Sequence, residues 1–208
     1  MKLLKPKIKE LKNYDLKSAN KDNYFYGYKF KKCEFVTLNI EDNVFDSCMF
    51  CDIDFTNINL EKIDLIDCIF KNCDLSNKKF DYRLIERVEF INCRMLGISF
   101  IEASLKDVLI KECKVNYANF SDSRLNKVII DDSDFSTSTF METKIKNLEL
   151  NNVKLCETEI IKTNLSNIDF SSCNIENVVI DLESIKGMII DRFQSIDLIK
   201  VLGVKFKE

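Results

Sequence analysis

A large apolar side chain returns at every fifth residue of this chain, an interval on which neither an α-helix nor a flat strand repeats. In "CDIDFTNINLEKIDLIDCIFKNCDL", residues 51–75, the centres are Phe55, Leu60, Leu65, Phe70 and Leu75. The register runs unbroken from Phe25 to Ile190. All 34 positions numbered in multiples of five are large and apolar: 14 Phe, 10 Ile, 8 Leu, Met95 and Val115. Of 16 phenylalanines, only Phe193 and Phe206 fall outside it. Chance would place roughly a fifth of them in register, so this is an internal repeat.

Two residues before each centre stands a second, mostly smaller side chain. Between residues 28 and 188 it is Ala, Ser, Thr, Cys or aliphatic everywhere except Tyr28, Asn43, Lys78, Arg83 and Glu183. One large and one smaller inward residue per five suits a chain coiling around a narrow solid core. The residue before the centre is often acidic or an amide, as in Asp54, Asn59, Asp64 and Asp74. There an Asx side chain can bind the local backbone beside a turn. Lys78 and Arg83 occupy consecutive inward slots, and a buried unpaired cation is very costly. The sequence therefore predicts a local distortion that brings both to solvent, or pairing with Glu86 or Asp81.

This coil leaves little room for catalysis. The chain has no histidine, the commonest acid/base group and metal ligand, and its only glycines are Gly27, Gly97, Gly187 and Gly203, too few for a phosphate-cradling loop. Carboxylates are abundant, but a convex rod offers no pocket to desolvate them. No enzyme activity and no cofactor are expected. Nine cysteines invite a metal or disulfide reading, and Cys48 to Cys51 is formally C-x-x-C. Yet Cys33, Cys48, Cys68, Cys73, Cys93, Cys113 and Cys173 all occupy the small inward slot, where free cysteine is a compact filler. Only Cys51 and Cys156 are expected to face outward, and no metal site is expected. The apolar runs are too short to span a bilayer, and the opening "MKLLKPKIKELKNYDLK" is too charged for a secretion signal. The expected location is cytoplasmic.

The register divides the chain into a basic N-terminal cap or tail, 1–24, the repeat, 25–190, and a C-terminal helix and tail, 191–208. Leu4, Ile8 and Leu11 have helical spacing, so residues 7–13 are expected to cap the first coil. Tyr14 to Ser18 read as a stray repeat out of phase. After the register ends, "DRFQSIDLIKVLGVKFKE" reads as a short helix with Asp191 as N-cap and Gly203 as its stop. Phe193, Ile196, Ile199, Leu202, Val204 and Phe206 make it too apolar for a free tail. It is either a dimer contact or the cap of a monomer.

Charge is unevenly divided. Residues 1–40 hold 10 lysines and 4 acids, while residues 41–190 hold 17 basic residues against 27 acids. Folded at 20 residues per coil, one side of the rod, with centres at 40, 60, 80 and onward to 180, gathers Glu41, Asp42, Glu61, Asp81, Glu102, Asp122, Glu142, Glu159 and Asp181. Glu102, Asp122 and Glu142 share one slot in successive coils, about 5 Å apart. Such neighbours repel by roughly 1 kcal/mol even in a water-like dielectric. Lys62 and Lys162 break the row. The face is either an ordinary solvated one or a negative stripe presented to a basic partner.

The five-residue pattern resembles the pentapeptide-repeat family, whose consensus is small, Asp/Asn, Leu/Phe, polar, polar. The resemblance implies an all-β right-handed quadrilateral β-helix, here of about 8 coils with no loop insertions, closed by the short C-terminal capping or dimerisation helix. "IFKNCDLSNKKF", "CRMLGISFIEASL", "NYANFS" and "FQSIDLIKVLGV" are further similar to the Qnr-type quinolone-resistance proteins. That resemblance implies a dimeric, acidic, DNA-like rod that binds DNA gyrase and topoisomerase IV and protects them from quinolones without modifying the drug. The acids of the 40-to-180 side would meet the basic DNA-binding groove, and the tail from Phe193 would join two rods end to end. Duplex DNA carries roughly 24 charges over 40 Å, well above this rod's net charge, so any mimicry uses one stripe and the rod's width. Direct nucleic-acid binding by the basic start is disfavoured by the acidic rod, and the unbroken register matches relatives that lack loops. A scaffold with another partner, or a gyrase inhibitor without protection, are the competing readings.

Overall fold

The computed structural model describes residues 1–13, 24–31, 42–58, 60 and 62–204. Its coil has four walls, and residue i pairs with residue i+20 in parallel register. The first wall stacks Phe25, Phe45, Leu65, Ile85, Leu105, Leu125 and Ile145. The second stacks Phe30, Phe50, Phe70, Phe90, Ile110, Ile130 and Leu150. Single bridges from Asp54–Asp74 down to Lys154–Asn174 form the third wall, and pairings from Lys79–Ser99 down to Ile160–Ile180 the fourth. Strands Leu84–Ile91, Ser104–Lys111, Arg124–Asp131 and Lys144–Asn151 run through the corner between the first two walls and join them into one sheet. No loop interrupts the coils among the described residues.

A left-handed residue two places after most centres makes the corners; Asn57, Asn147, Ser172, Leu182 and Arg192 are the described exceptions. Asp52, Asp67, Asn72, Asn77, Tyr82, Arg87 and Asn92 all have φ between 50° and 64°. That conformation costs about 1–2 kcal/mol for an L-residue and least for Asn or Asp. It is offset because each corner N–H reaches the next coil, as in Asp67 N to Glu86 O at 2.9 Å and Asn77 N to Leu96 O at 2.8 Å. Two corners are also closed by turns, such as Lys78 N to Leu75 O and Ala103 N to Phe100 O. The expected Asx contacts hold beside them: Asp54 Oδ1 accepts Thr56 N, and Asp74 Oδ1 accepts Ser76 N.

Every described centre is buried except Ile145, Ile185 and Ile190. Phenylalanines stack coil on coil: Phe50 on Phe70 with centroids 4.5 Å apart, Phe120 on Phe140 at 4.9 Å. The smaller inward slot has a polar purpose that its size alone does not disclose. Its thiol or hydroxyl donates to the carbonyl 23 residues earlier, as in Cys68 to Phe45, Thr143 to Phe120 and Thr163 to Phe140. Cys48, Cys68, Cys73, Cys93, Cys113 and Cys173 are buried and free, whereas Cys51 and Cys156 are half-exposed. Cys33 lies outside the described residues.

Lys78 and Arg83 need no distortion of the wall. The Lys78 ammonium donates to the carbonyls of Thr56 and Ile58 at 3.1 and 2.7 Å, and Arg83 Nε to the carbonyl of Asp81 at 3.4 Å. Main-chain oxygens, rather than the carboxylates of Asp81 or Glu86, solve the problem. Burial is the first cause of a lowered Lys78 pKa.

Both flanks depart from expectation. Residues 7–13 are not helical: Lys12–Asn13 is a strand beside Tyr28 and Lys29, and residues 1–11 hold no regular element. The stray repeat at residues 14–18 lies outside the described residues. At the other end the helix is Ser195–Ile199, and Gly203, at φ 73°, stops the following Lys200–Leu202 turn. Asp191 is not its N-cap. It accepts the N–H groups of Phe193 and Gln194 one turn earlier. The buried Gln194 side chain plugs the rod, donating to the carbonyls of Phe170 and Cys173 at 2.8 and 2.7 Å.

Phe100 is fully buried between Phe80 and Phe120. Phe100→Ala is expected to destabilise the rod by about 3–5 kcal/mol in urea unfolding. Tyr117→Ala, at an exposed corner, should change stability by less than about 0.5 kcal/mol. Equal effects would show that the five-residue centres are not the core.

Candidate protein-interaction surfaces

The acidic row sits at the corner between the fourth and first walls. Asp42, Lys62, Tyr82, Glu102, Asp122, Glu142 and Lys162 follow one another there, each with φ between 51° and 64°. Left-handed geometry and the turns closed by Ala103 N to Phe100 O and Ser123 N to Phe120 O throw these side chains outward. They are aligned at the coil spacing of about 4.8 Å.

Their partners differ. Glu142 is paired with Lys162 at 2.9 Å and Asp42 with Lys62 at 3.8 Å. Lys162 therefore holds the Glu142 carboxyl below its ordinary range. Glu102 and Asp122 are exposed and have no ion pair among the described residues. The charge of Glu102 instead pushes up the neighbouring Tyr82 phenol. Two of the expected face residues serve the backbone. Asp81 accepts Ser99 Oγ and Ile101 N, and Asp181 accepts the N–H groups of Lys162, Glu183 and Ser184. Glu159 is half-exposed in the fourth wall. Glu41 and Glu61 lie outside the described residues.

The diagonally opposite corner, between the second and third walls, carries acids that the single-face reading passed over. Asp52, Asn72 and Asn92 form a side-chain ladder at 2.9 Å per step. Asp132 continues the column and accepts Asn152 Nδ2 at 3.1 Å. Glu112 lies 3.8 Å from Lys111. The signal was the same slot two residues after the centre, read on a different wall.

A third corner, between the first and second walls, is covered. The extended N-terminal segment runs down it: Lys7 N donates to Asp67 Oδ1 at 2.8 Å, Leu4 N to Asp107 Oδ1 at 2.9 Å, and the Met1 ammonium pairs with Glu149. Beneath it Arg87 grips Asp67 through Nε and Nη2 at 2.6 and 2.8 Å, and Glu86 through Nη1. Lys106 reaches Glu86 from the next coil at 2.9 Å. Burial raises the Asp67 pKa, but the Arg87 guanidinium and the Lys7 N–H outweigh it and leave the carboxyl below its ordinary range. Lys106 lowers Glu86 in the same way.

The C-terminal end is apolar. Leu198 and Val201 pack inward on the core. Phe193 is 79 % exposed, and Ile196, Leu202 and Val204 are exposed beside it, with Ile199 half-buried. Phe206 lies outside the described residues. No helix among those described is long and apolar enough to cross a membrane.

The repeat and the coil it builds define the class. Residues 45–80 match the family model described as pentapeptide repeats (8 copies), and residues 63–134 the one described as pentapeptide repeat region. Residues 45–134 carry the pentapeptide repeat, and the described coil has a Qnr-like fold. No curated protein matches it in sequence. Among solved structures it is similar to a trypsin-treated variant of QnrB1, a plasmid-mediated fluoroquinolone resistance protein, with TM-score 0.51 and 18% identity over 89% of this chain and 92% of that one. A second trypsin-treated QnrB1 variant gives TM-score 0.44 and 20% identity over 89% and 97%. A pentapeptide repeat protein from the Arabidopsis thaliana thylakoid lumen gives TM-score 0.29 and 20% identity over 62% and 72%.

The depressed carboxyls fix how stability depends on pH. A carboxyl held low in the folded state stabilises the fold above its unfolded pKa, near 4, and that contribution is lost as pH falls through the folded value. The urea midpoint is expected to stay level from about pH 8 to about pH 5 and to fall below about pH 4. Asp67→Asn should flatten that fall. An acid limb of the same slope in both proteins would exclude Asp67 as a source.

Proposed function

We propose that this chain is a DNA-mimicking protein that binds the type II topoisomerases DNA gyrase and topoisomerase IV and protects them from quinolones. The observation that carries the reading is the stacked pair Glu102 and Asp122, two like charges one coil apart at an exposed corner with no ion pair among the described residues. A basic groove that normally holds DNA phosphates would relieve that repulsion, and the field of a charged corner speeds encounter with such a groove. The Qnr-like fold, the sequence resemblance to the quinolone-resistance family and the rod-like coil support it. The exposed apolar end at Phe193, Ile196 and Leu202 fits a homodimer joined tail to tail.

One feature favours a scaffold with a different partner: Lys62 and Lys162 neutralise two of the acids in the same corner. Gyrase supercoiling with purified protein, with and without ciprofloxacin, separates the readings. Recovery of supercoiling in drug is the expected outcome. Inhibition without drug would mean binding without protection, and no effect in either arm would leave the scaffold. Glu102→Lys with Asp122→Lys should weaken the effect by at least about tenfold in the concentration required. In sedimentation equilibrium, Phe193→Asp with Ile196→Asp should convert a dimer to a monomer; a wild-type monomer would remove the tail-to-tail contact from the proposal.

A further inference from the structure

The N-terminal segment lies on its corner in a fixed measure. Glu10 lies against Gly27, its carbonyl 3.8 Å from where a Cβ there would stand. Lys7 is then bonded to Asp67, Leu4 to Asp107 and Met1 to Glu149. Each step of three residues in the strap descends two coils. The lengths agree: three extended residues span about 10 Å, and two coils at strand spacing about 9.6 Å. Leu3, Pro6, Ile8 and Leu11 are half-buried against the rod, while Lys2, Lys5, Lys7 and Lys9 face solvent. Pro6, which has no N–H to satisfy, falls between two anchors.

What lies beneath is unlike the other corners. Asp67 and Asp107 occupy the same left-handed slot as Glu102, Glu112 and Asp122, which are exposed, yet they are only 5 % and 2 % exposed. The strap buries them. Its hold is polar and incomplete. Asp107 Oδ2 is buried with no hydrogen-bond partner among the described residues, an arrangement that wastes part of a carboxylate's accepting capacity. Among the described residues, the hydrogen bonds that hold the strap along residues 3–9 are main-chain N–H on side-chain carboxylate, plus Ser47 Oγ donating to Lys7 O at 3.3 Å. Any extended basic segment carries the same groups.

We propose that residues 1–10 are a displaceable latch over a second acidic edge of the rod, and that the uncovered edge of Asp46, Asp67, Glu86, Asp107 and Glu149 takes an extended lysine-rich segment of a partner protein in the latch's place. The latch bears on the proposed function by controlling how much of the acidic surface a basic partner meets. Its test uses no topoisomerase, so the two readings fail separately.

Leu4→Pro with Lys7→Pro removes both anchoring N–H groups and leaves the coils untouched. Full-length protein of each kind is titrated with the peptide MKLLKPKIKELK, labelled at its C-terminus, and followed by fluorescence anisotropy. The double variant should bind it about tenfold or more tighter than the wild type, and 0.5 M NaCl should abolish the gain. A peptide with proline at positions 4 and 7 should bind without that gain. Amide exchange of the coils around Phe70 and Phe100 should be the same in both proteins. Equal affinity of the two proteins for the peptide would overturn the latch. Equal affinity of the double variant for the two peptides would reduce the edge to nonspecific attraction and overturn docking in register.

Discussion

Coil-on-coil pairing at an interval of 20 residues is the constraint from which the rest of this molecule follows. Once residue i must lie over residue i+20, each of the four corners becomes a column, and so does each inward slot. A left-handed residue then stands two places after most centres, and its strain is tolerated because its N–H is bonded to the next coil. Inward columns admit side chains that fit against the one 20 residues away, as Leu65 does over Phe45 and Ile110 over Phe90. Phenylalanine rings meet this at centroid separations of 4.5 to 5.6 Å, as along Phe50, Phe70 and Phe90 or Phe80, Phe100 and Phe120. Serine, threonine and cysteine meet it by donating to a carbonyl of the neighbouring coil.

What the repeat governs was legible, and what other forces govern was not. The centres, the small slot, the outward cysteines and the Asx turns all follow from period and size, and among the described residues they stand where the sequence placed them, with Ile145, Ile185 and Ile190 only half-buried. The strap was misread as a helical cap because Leu4, Ile8 and Leu11 mimic a helical stripe. Its true interval is set by the coil rise, through carboxylates 60 and 103 residues away, a distance no local pattern can register. For the same reason Asp67 and Asp107 read as solvated corner residues. Gln194 was invisible as a plug because a polar side chain at a rod end earns its burial only from carbonyls left open by the last coil. The acidic face was found by slot, but the slot could not show that Asp181 spends its oxygens on backbone N–H groups, or that Asp81 accepts the Ser99 hydroxyl and the Ile101 N–H.

The same stacking that orders the core forces an electrostatic choice on every corner. Like charges in one slot are held about 4.8 Å apart whether or not that suits them. Four answers occur in this rod. A cation occupies the next coil, as Lys162 does over Glu142 and Arg87 over Asp67. An amide is interposed, as Asn72 is above Asp52. A strap of main-chain N–H groups is laid across the column, as at Asp67 and Asp107. Or the repulsion is left standing, as at Glu102 and Asp122. The first two are completed within the chain and have little to gain from a partner. The last can be relieved only from outside, and the strap only by exchange with something of its own chemistry. Under the two proposals, both would meet the same class of partner, a basic protein surface, at the corners on either side of the first wall.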